Sequence, residues 1–104
     1  MLGLKLRELR ESNGLVQRQI AAQLEVDTAY ISKVENEEKP ISKIHISKLA
    51  QIFKIPEKEL LKMWLADKIY ELIIDEENPL DVLKSVQRQI VQNTINQDNK
   101  KMAI

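Results

Sequence analysis

The chain has 104 residues, with 43% hydrophobic and only 4% aromatic side chains, and its 16 basic and 16 acidic residues give a net charge of zero. This length predicts one principal domain with room for an appendage, and the long stretches rich in Lys, Glu, Leu, Ile and Gln predict an all-α fold. The lack of cysteine excludes disulfides and thiolate metal sites. No run of about 20 apolar residues could span a bilayer, and Met1 leads into a charged helix. We therefore expect a cytoplasmic protein with no membrane partner.

The first predicted helix covers residues 3–13 and buries a stripe that includes Leu6 and Leu9. Gly14 is expected to end it, because glycine readily adopts the left-handed conformation found at helix C-termini. Arg10 lies at the inward edge of this helix. It either pairs with an acid from another helix or points to solvent.

Residues 17–36 contain two short apolar stripes separated by a polar break. The apolar residues have helical spacing in both halves: Ile20, Ala21 and Leu24, then Ile31 and Val34. Two short helices with so tight a joint can bury their stripes only by crossing steeply, which is the helix-turn-helix geometry. The small side chain of Ala21 lets the second helix come close, and Asp27 is its predicted N-cap.

The second of these helices presents a small, polar face on the side away from its apolar stripe. That face, with its flanks, carries one cation and consists of Thr28, Ala29, Tyr30, Ser32 and Lys33. The major groove of DNA admits such a helix and offers it hydrogen-bond donors, acceptors and thymine methyl groups. The pattern indicates that these residues read bases, with Lys33 the candidate for a guanine contact.

Three further helices are predicted, at residues 42–53, from residue 57 to the acidic stretch before Pro79, and at about 80–95. A polar tail is expected to fray from Asn96. His45, the only histidine, has no second ligand at metal-binding spacing, so neither a metal nor another cofactor is expected.

Apolar residues continue past the point at which the first domain is complete. We therefore assign residues 1–62 to a DNA-binding domain and residues 63–104 to a C-terminal helical extension. The apolar helices of the extension either form a dimer interface, which is the favoured interpretation, or fold back onto the first domain.

Many positions of the first domain match the pattern of one family. They are Leu6, Leu9, Arg10, Gly14, Gln17, Ile20, Ala21, Leu24, Ile31, Val34, Glu35, Asn36, Pro40, Leu49, Ala50, Phe53 and Ile55. On these residues the segment from Leu2 to about Leu61 resembles the lambda-repressor-like (Cro/C1, XRE) helix-turn-helix domain, which implies a five-helix DNA-binding fold. The chain departs from the family pattern at three positions: Val16 stands at an N-cap, and Glu25 and Glu37 stand where glycine is usual.

The resemblance also implies roles outside the polar face. The equivalents of Arg10 and Glu35 form an ion pair in the family, so this pair is expected to be structural. Gln17, at the start of the second helix, is expected to donate to a DNA phosphate, with a solvated surface glutamine as the alternative. The remaining predicted phosphate contacts are Arg18, Asn36, Lys39 and Lys43.

Together these features predict a sequence-specific transcriptional regulator of the repressor or restriction-modification controller type. It is expected to bind an operator-like inverted repeat in double-stranded DNA, as a homodimer through its C-terminal helices, without a small-molecule effector. The alternative is a protein-interaction module such as an antitoxin or anti-repressor, which the zero net charge and the adjacent acids Glu37 and Glu38 favour. An enzyme is not expected, because the chain lacks a glycine-rich phosphate loop and a plausible set of acid, base and nucleophile.

Overall fold

The computed structural model describes the backbone of residues 1–102 and the side chains of residues 1–99, and every regular element in that range is helical. In chain order the α-helices are α1 (Leu2–Ser12), α2 (Gln17–Leu24), α3 (Thr28–Glu35), α4 (Ile46–Phe53), α5 (Glu57–Ile73) and α6 (Pro79–Met102). The predicted all-α class is confirmed, with five helices followed by a sixth.

Two predicted boundaries differ from those in the structure. A 3₁₀ turn occupies Lys43–His45, so α4 begins only at Ile46. The last helix, predicted to end at about residue 95, continues to Met102. The tail contains neither proline nor glycine through this range, and extending an existing helix adds one hydrogen bond for each residue ordered.

The chain forms two compact units, and α5 runs through the division between Lys68 and Ile69. The first unit, Met1–Lys68, has an aliphatic core in which Phe53 is the one aromatic side chain. The core residues are Leu2, Leu6, Ile20, Ala21, Leu24, Ile31, Val34, Ile41, Ile46, Leu49, Ala50, Phe53 and Leu60. Helices α1 to α4 all contribute residues to this core, so α2 and α3 share one core with α1 and α4.

Gly3 marks a very close approach between α1 and the end of α3. A Cβ atom placed on Gly3 would collide with the backbone carbonyl oxygen of Val34. Only glycine lets the α1 backbone come this near to α3 without displacing it. Gly3 therefore helps to set the position of α3 in the first unit.

Four residues that follow helices of the first unit adopt the left-handed backbone conformation. Gly14, Glu25, Glu37 and Lys54 all have φ between 55° and 67°. After Glu25, for example, the N–H of Val26 donates to the carbonyl oxygen of Ala21 at 3.0 Å, as in a Schellman motif. A non-glycine residue in this region costs about 1 kcal/mol. The departures from glycine at Glu25 and Glu37 therefore reduce stability but leave the turn geometry in place.

The second unit begins at Ile69 and is dominated by α6. Along this helix the apolar side chains are exposed: Leu80, Val82, Leu83, Val86, Ile90, Val91 and Ile95. Leu83, Val86 and Ile90 follow three- and four-residue spacing, so they lie on one face of the helix. No helix in the described range is both long and apolar enough to cross a bilayer.

Candidate nucleic-acid interface

One side of α3 is buried in the core and the other is open. The side chains of Ile31 and Val34 are each 3% exposed. On the opposite side, Thr28, Ala29 and Lys33 are exposed. The exposed side has no carboxylate within the helix, so a groove edge or a phosphate would meet small polar groups and one cation there.

The two helices of the motif begin in different ways. Asp27 occupies the N-cap position of α3 with extended backbone, but its side chain makes no capping hydrogen bond. At the start of α2 the N–H of Val16 donates to Oε1 of Gln19 at 2.8 Å, and the N–H of Gln19 donates to the Val16 carbonyl oxygen at 3.0 Å. Gln19 thus supplies half of a capping box. This role was not predicted from the sequence, although a glutamine three residues after the N-cap is its usual signal.

Tyr30 ties α3 to the connecting segment, residues 36–45, which leads to α4. The N–H of Ser42 donates to the Tyr30 hydroxyl oxygen at 2.8 Å. The Tyr30 ring also meets His45 edge to face at 6.1 Å and has Lys39 Nζ at 5.5 Å from its centroid. Because the Tyr30 hydroxyl can still donate its own hydrogen, base reading by Tyr30 stays a prediction, as it does for the half-buried Ser32 beside it.

Helix α5 holds the connecting segment from another direction. The indole N–H of Trp64 donates to the carbonyl oxygen of Ile41 at 2.7 Å. Lys43 Nζ lies 5.8 Å from the centroid of the same indole ring, and Lys68 Nζ lies 5.1 Å from it. These distances are within the range of a cation–π attraction. The segment that follows α3 is therefore fixed by Tyr30 and by Trp64.

A buried ion-pair network joins α1, α2 and α3. Arg10 Nε donates to Glu35 Oε2 at 2.7 Å and Arg10 Nη2 donates to Glu35 Oε1 at 2.9 Å, so the pair is bidentate. Arg10 Nη1 also donates to the Leu15 carbonyl oxygen at 2.9 Å. Glu35 is only 5% exposed. The hydrogen bonds from Arg10 to this carboxylate raise the pKa of Arg10 above its ordinary value.

Gln17, predicted to contact a phosphate, takes part in the same network. Its Nε2 donates one hydrogen to Glu35 Oε1 at 3.0 Å. The amide has a second hydrogen that this bond does not use. Glu35 thus orients the Gln17 side chain at the start of α2, and the predicted phosphate contact depends on that remaining hydrogen.

Glu37 contacts the start of α1. Its Oε1 accepts from the N–H of Leu4 at 3.4 Å and pairs with the ammonium group of Met1. That hydrogen bond with the ammonium group, and the weaker one from Leu4, lower the pKa of Glu37. Asp67 accepts from the N–H of Leu2 at 2.9 Å. Glu37 and Asp67 therefore accept hydrogen bonds from donors at the start of α1. Glu38, the acid next to Glu37 in the chain, has no ion-pair or hydrogen-bond partner for its side chain among the described residues.

The other predicted phosphate contacts lie at the surface of the first unit. They are Arg18, Asn36, Lys39 and Lys43, all exposed. Arg18 is on α2, while the other three belong to the connecting segment. Among the described residues, no group of three or more His, Cys, Asp or Glu side chains is placed to hold a metal ion.

Comparison with known proteins places these features in context. The sequence model of a family described as helix-turn-helix matches residues 6–60. The chain is similar to the solved structure of the restriction-modification controller protein C.AhdI from Aeromonas hydrophila, with 37% sequence identity and a TM-score of 0.51. The similarity covers 57% of this chain and 89% of that one. No curated protein matches the chain.

Proposed function

Since the chain belongs to the Cro/C1-type (XRE) helix-turn-helix family of DNA-binding regulators, we propose that it controls transcription as a homodimer bound to an operator-like inverted repeat. The observation that carries the proposal is the open side of α3, where Thr28, Ala29 and Lys33 are exposed on a helix fixed by the core. A helix presented in this way enters the major groove with its side chains at the base edges. The bound dimer would act by occluding or recruiting polymerase at a promoter.

The similarity to C.AhdI favours the restriction-modification controller type within this class. That protein is described as a restriction-modification controller, and the match covers 89% of its chain at 37% identity. The family model matches residues 6–60, which include the whole helix-turn-helix proposed to bind DNA.

Lys33 is proposed to provide the main polar base contact. Its ammonium group is carried on the exposed side of α3, and a lysine donates to the O6 and N7 acceptors of guanine. We expect Lys33→Ala to relax sequence preference at one position of each half-site by about 1–3 kcal/mol. Selection of bound DNA from a randomised pool, followed by titration of single-base variants, measures this change.

A matched control for Lys33→Ala is Lys58→Ala, an exposed lysine on α5 outside the proposed interface. The control should leave the preference at every position as it is in the wild type. An unchanged preference in Lys33→Ala would remove Lys33 from the base-reading set while leaving DNA binding as such intact.

Phosphate contacts are proposed to flank the base-reading helix. Arg18 would act from α2, and Asn36, Lys39 and Lys43 from the connecting segment, with Gln17 donating its second amide hydrogen. Helix α2 precedes α3 in the chain and the connecting segment follows it. Of the five residues, Gln17 is half-buried and the other four are exposed. Such contacts position the protein on the duplex and carry no sequence information.

The C-terminal helices are proposed to form the dimer interface. On the single chain, α6 exposes Leu83, Val86 and Ile90 on one face, and exposed apolar stripes of this kind mark interaction surfaces.

We expect the wild-type chain to be a dimer and Val86→Lys to raise its dissociation constant at least about tenfold, because a lysine charge would have to leave water on assembly. Sedimentation equilibrium over a range of concentrations measures both. Gln92→Lys adds the same charge about 120° away around the helix and should leave the dimer intact.

One experiment separates this function from a protein-interaction module of the same fold. The zero net charge and the exposed Glu38 are the observations that favour the second candidate. A gel-shift assay with pooled duplexes at low and moderate salt should show a bound fraction that decreases as salt increases. No bound DNA at low salt would favour an antitoxin or anti-repressor.

A further inference from the structure

Two lysines from distant parts of the first unit meet at one tryptophan. Lys43 comes from the connecting segment and Lys68 from the C-terminal part of α5, yet both ammonium groups lie within 5.8 Å of the Trp64 ring centroid. The orientation of the ring is held by the hydrogen bond from its N–H to the Ile41 carbonyl oxygen, at 2.7 Å. The fold therefore concentrates two positive charges at a fixed place next to the segment that follows α3.

Neither charge is neutralised by an acid within the described part of the chain. The ion pairs found there join Arg7, Arg10 and Met1 to carboxylates, and neither Lys43 nor Lys68 takes part in one. The adjacent acid, Asp67, is directed to the start of α1 by the N–H of Leu2 and by the Met1 ammonium group. Both ammonium groups are therefore available to a bound anion.

The anion that best fits these groups is a phosphate. Trp64 uses its one donor within the protein, so the donors that this cluster offers to a ligand are the two ammonium groups, which donate hydrogen bonds and accept none. A phosphodiester offers two unesterified oxygens and one negative charge, and each ammonium group can take one oxygen. Lys43 belongs to the segment that Tyr30 attaches to α3, so a phosphate held here would belong to the strand flanking the groove that α3 enters.

We propose that Lys43 and Lys68, steered by Trp64, together bind one phosphate of the DNA backbone, which adds α5 to the DNA-contacting surface. This inference rests on the proposed function. It assigns a DNA contact to a helix that is otherwise expected only to complete the domain and lead into the extension. The shared chemistry, a phosphate group between two ammonium groups, would also fit free inorganic phosphate, so the test must separate the two sources.

The decisive measurement is the salt dependence of DNA binding for Lys68→Ala. Each phosphate contact contributes about 0.9 to the slope of log K against log salt on duplex DNA. Removing Lys68 should lower the magnitude of that slope by about 1 for each protomer bound, uniformly across DNA sequences. The matched control is Lys58→Ala, an exposed lysine of the same helix, for which the slope should equal that of the wild type.

Trp64, the chain's one tryptophan, provides a second and independent readout. Its emission should change when DNA is added at low salt, and this change should shrink in both Lys43→Ala and Lys68→Ala. Sodium phosphate, compared with sodium chloride at equal ionic strength, should not reproduce it at millimolar concentration.

The possible failures are distinguishable. If the wild type binds DNA and Lys68→Ala keeps the wild-type slope, the assignment of Lys68 is overturned and the proposed function stands. If inorganic phosphate alone changes Trp64 emission and the slope does not move, the site binds free phosphate and the DNA assignment is overturned. If the wild type binds no DNA at low salt, both this inference and the proposed function fail.

Discussion

Replacing Glu35 by glutamine is expected to lower the free energy of unfolding by about 3–5 kcal/mol, because it would leave the Arg10 charge confined without its partner. Arg10 makes two hydrogen bonds to this one carboxylate, at 2.7 and 2.9 Å, and Glu35 is 5% exposed. An amide could satisfy only part of this arrangement and would carry no charge. Urea denaturation followed by far-ultraviolet circular dichroism measures the loss.

Glu11→Gln is the matched control for this prediction. Glu11 also contacts arginine, at 3.0 Å from Arg7 Nε and 3.8 Å from Arg10 Nη2, but its side chain is 55% exposed. Exposed pairs contribute about 0–1 kcal/mol. The double variant Arg10→Met with Glu35→Met should be less destabilised than Glu35→Gln, since no lone charge remains. A double variant at least as unstable as Glu35→Gln would show that the cost has another origin.

Gly3→Ala is expected to destabilise the first unit by about 2 kcal/mol, although alanine normally favours helices. The added methyl carbon would collide with the Val34 carbonyl oxygen, which is backbone and cannot rotate away. Forcing extra atoms into a tightly packed site costs typically about 1–3 kcal/mol and occasionally more, while the better helix propensity of alanine offsets about 1 kcal/mol. Since the displaced atom belongs to α3, DNA affinity should fall as well. The free energy of unfolding and the affinity for DNA can both be measured on one preparation of the variant.

The chain contains its own comparison for Gly3→Ala. Gly14 has φ +67°, but a Cβ placed on it meets nothing within 4 Å. Gly14→Ala should therefore cost about 1 kcal/mol through backbone conformation alone and leave DNA affinity unchanged. Equal effects of the two substitutions on DNA affinity would refute the role of Gly3 in seating α3.

The sequence was sufficient to predict the helix-turn-helix because its apolar positions repeat with helical spacing. Ile20, Ala21, Leu24, Ile31 and Val34 are all in the core. The pairing of Arg10 with Glu35 came from family resemblance, since nothing in the spacing of two residues so far apart in the chain indicates that they meet.

What the sequence did not reveal depends on contacts between residues distant in the chain. Glu37, for example, accepts a hydrogen bond from the N–H of Leu4 at the start of α1, because the close approach of α1 and α3 at Gly3 brings the two residues together. The anchoring of the connecting segment by Tyr30 and Trp64 was missed for the same reason. Local patterns specify helices, but the partners of a polar side chain depend on the packing of the whole unit.

The double anchoring of residues 36–45 has a thermodynamic consequence. Hydrogen bonds to Tyr30 and Trp64 order this loop in the free protein, so association with a duplex needs little additional folding of that loop. Coupled folding of a flexible loop would add a large negative heat capacity change to complex formation. Here calorimetry at several temperatures should give a small heat capacity change, set by the surfaces that come into contact. Ordering of the loop would then reduce the affinity for DNA only slightly.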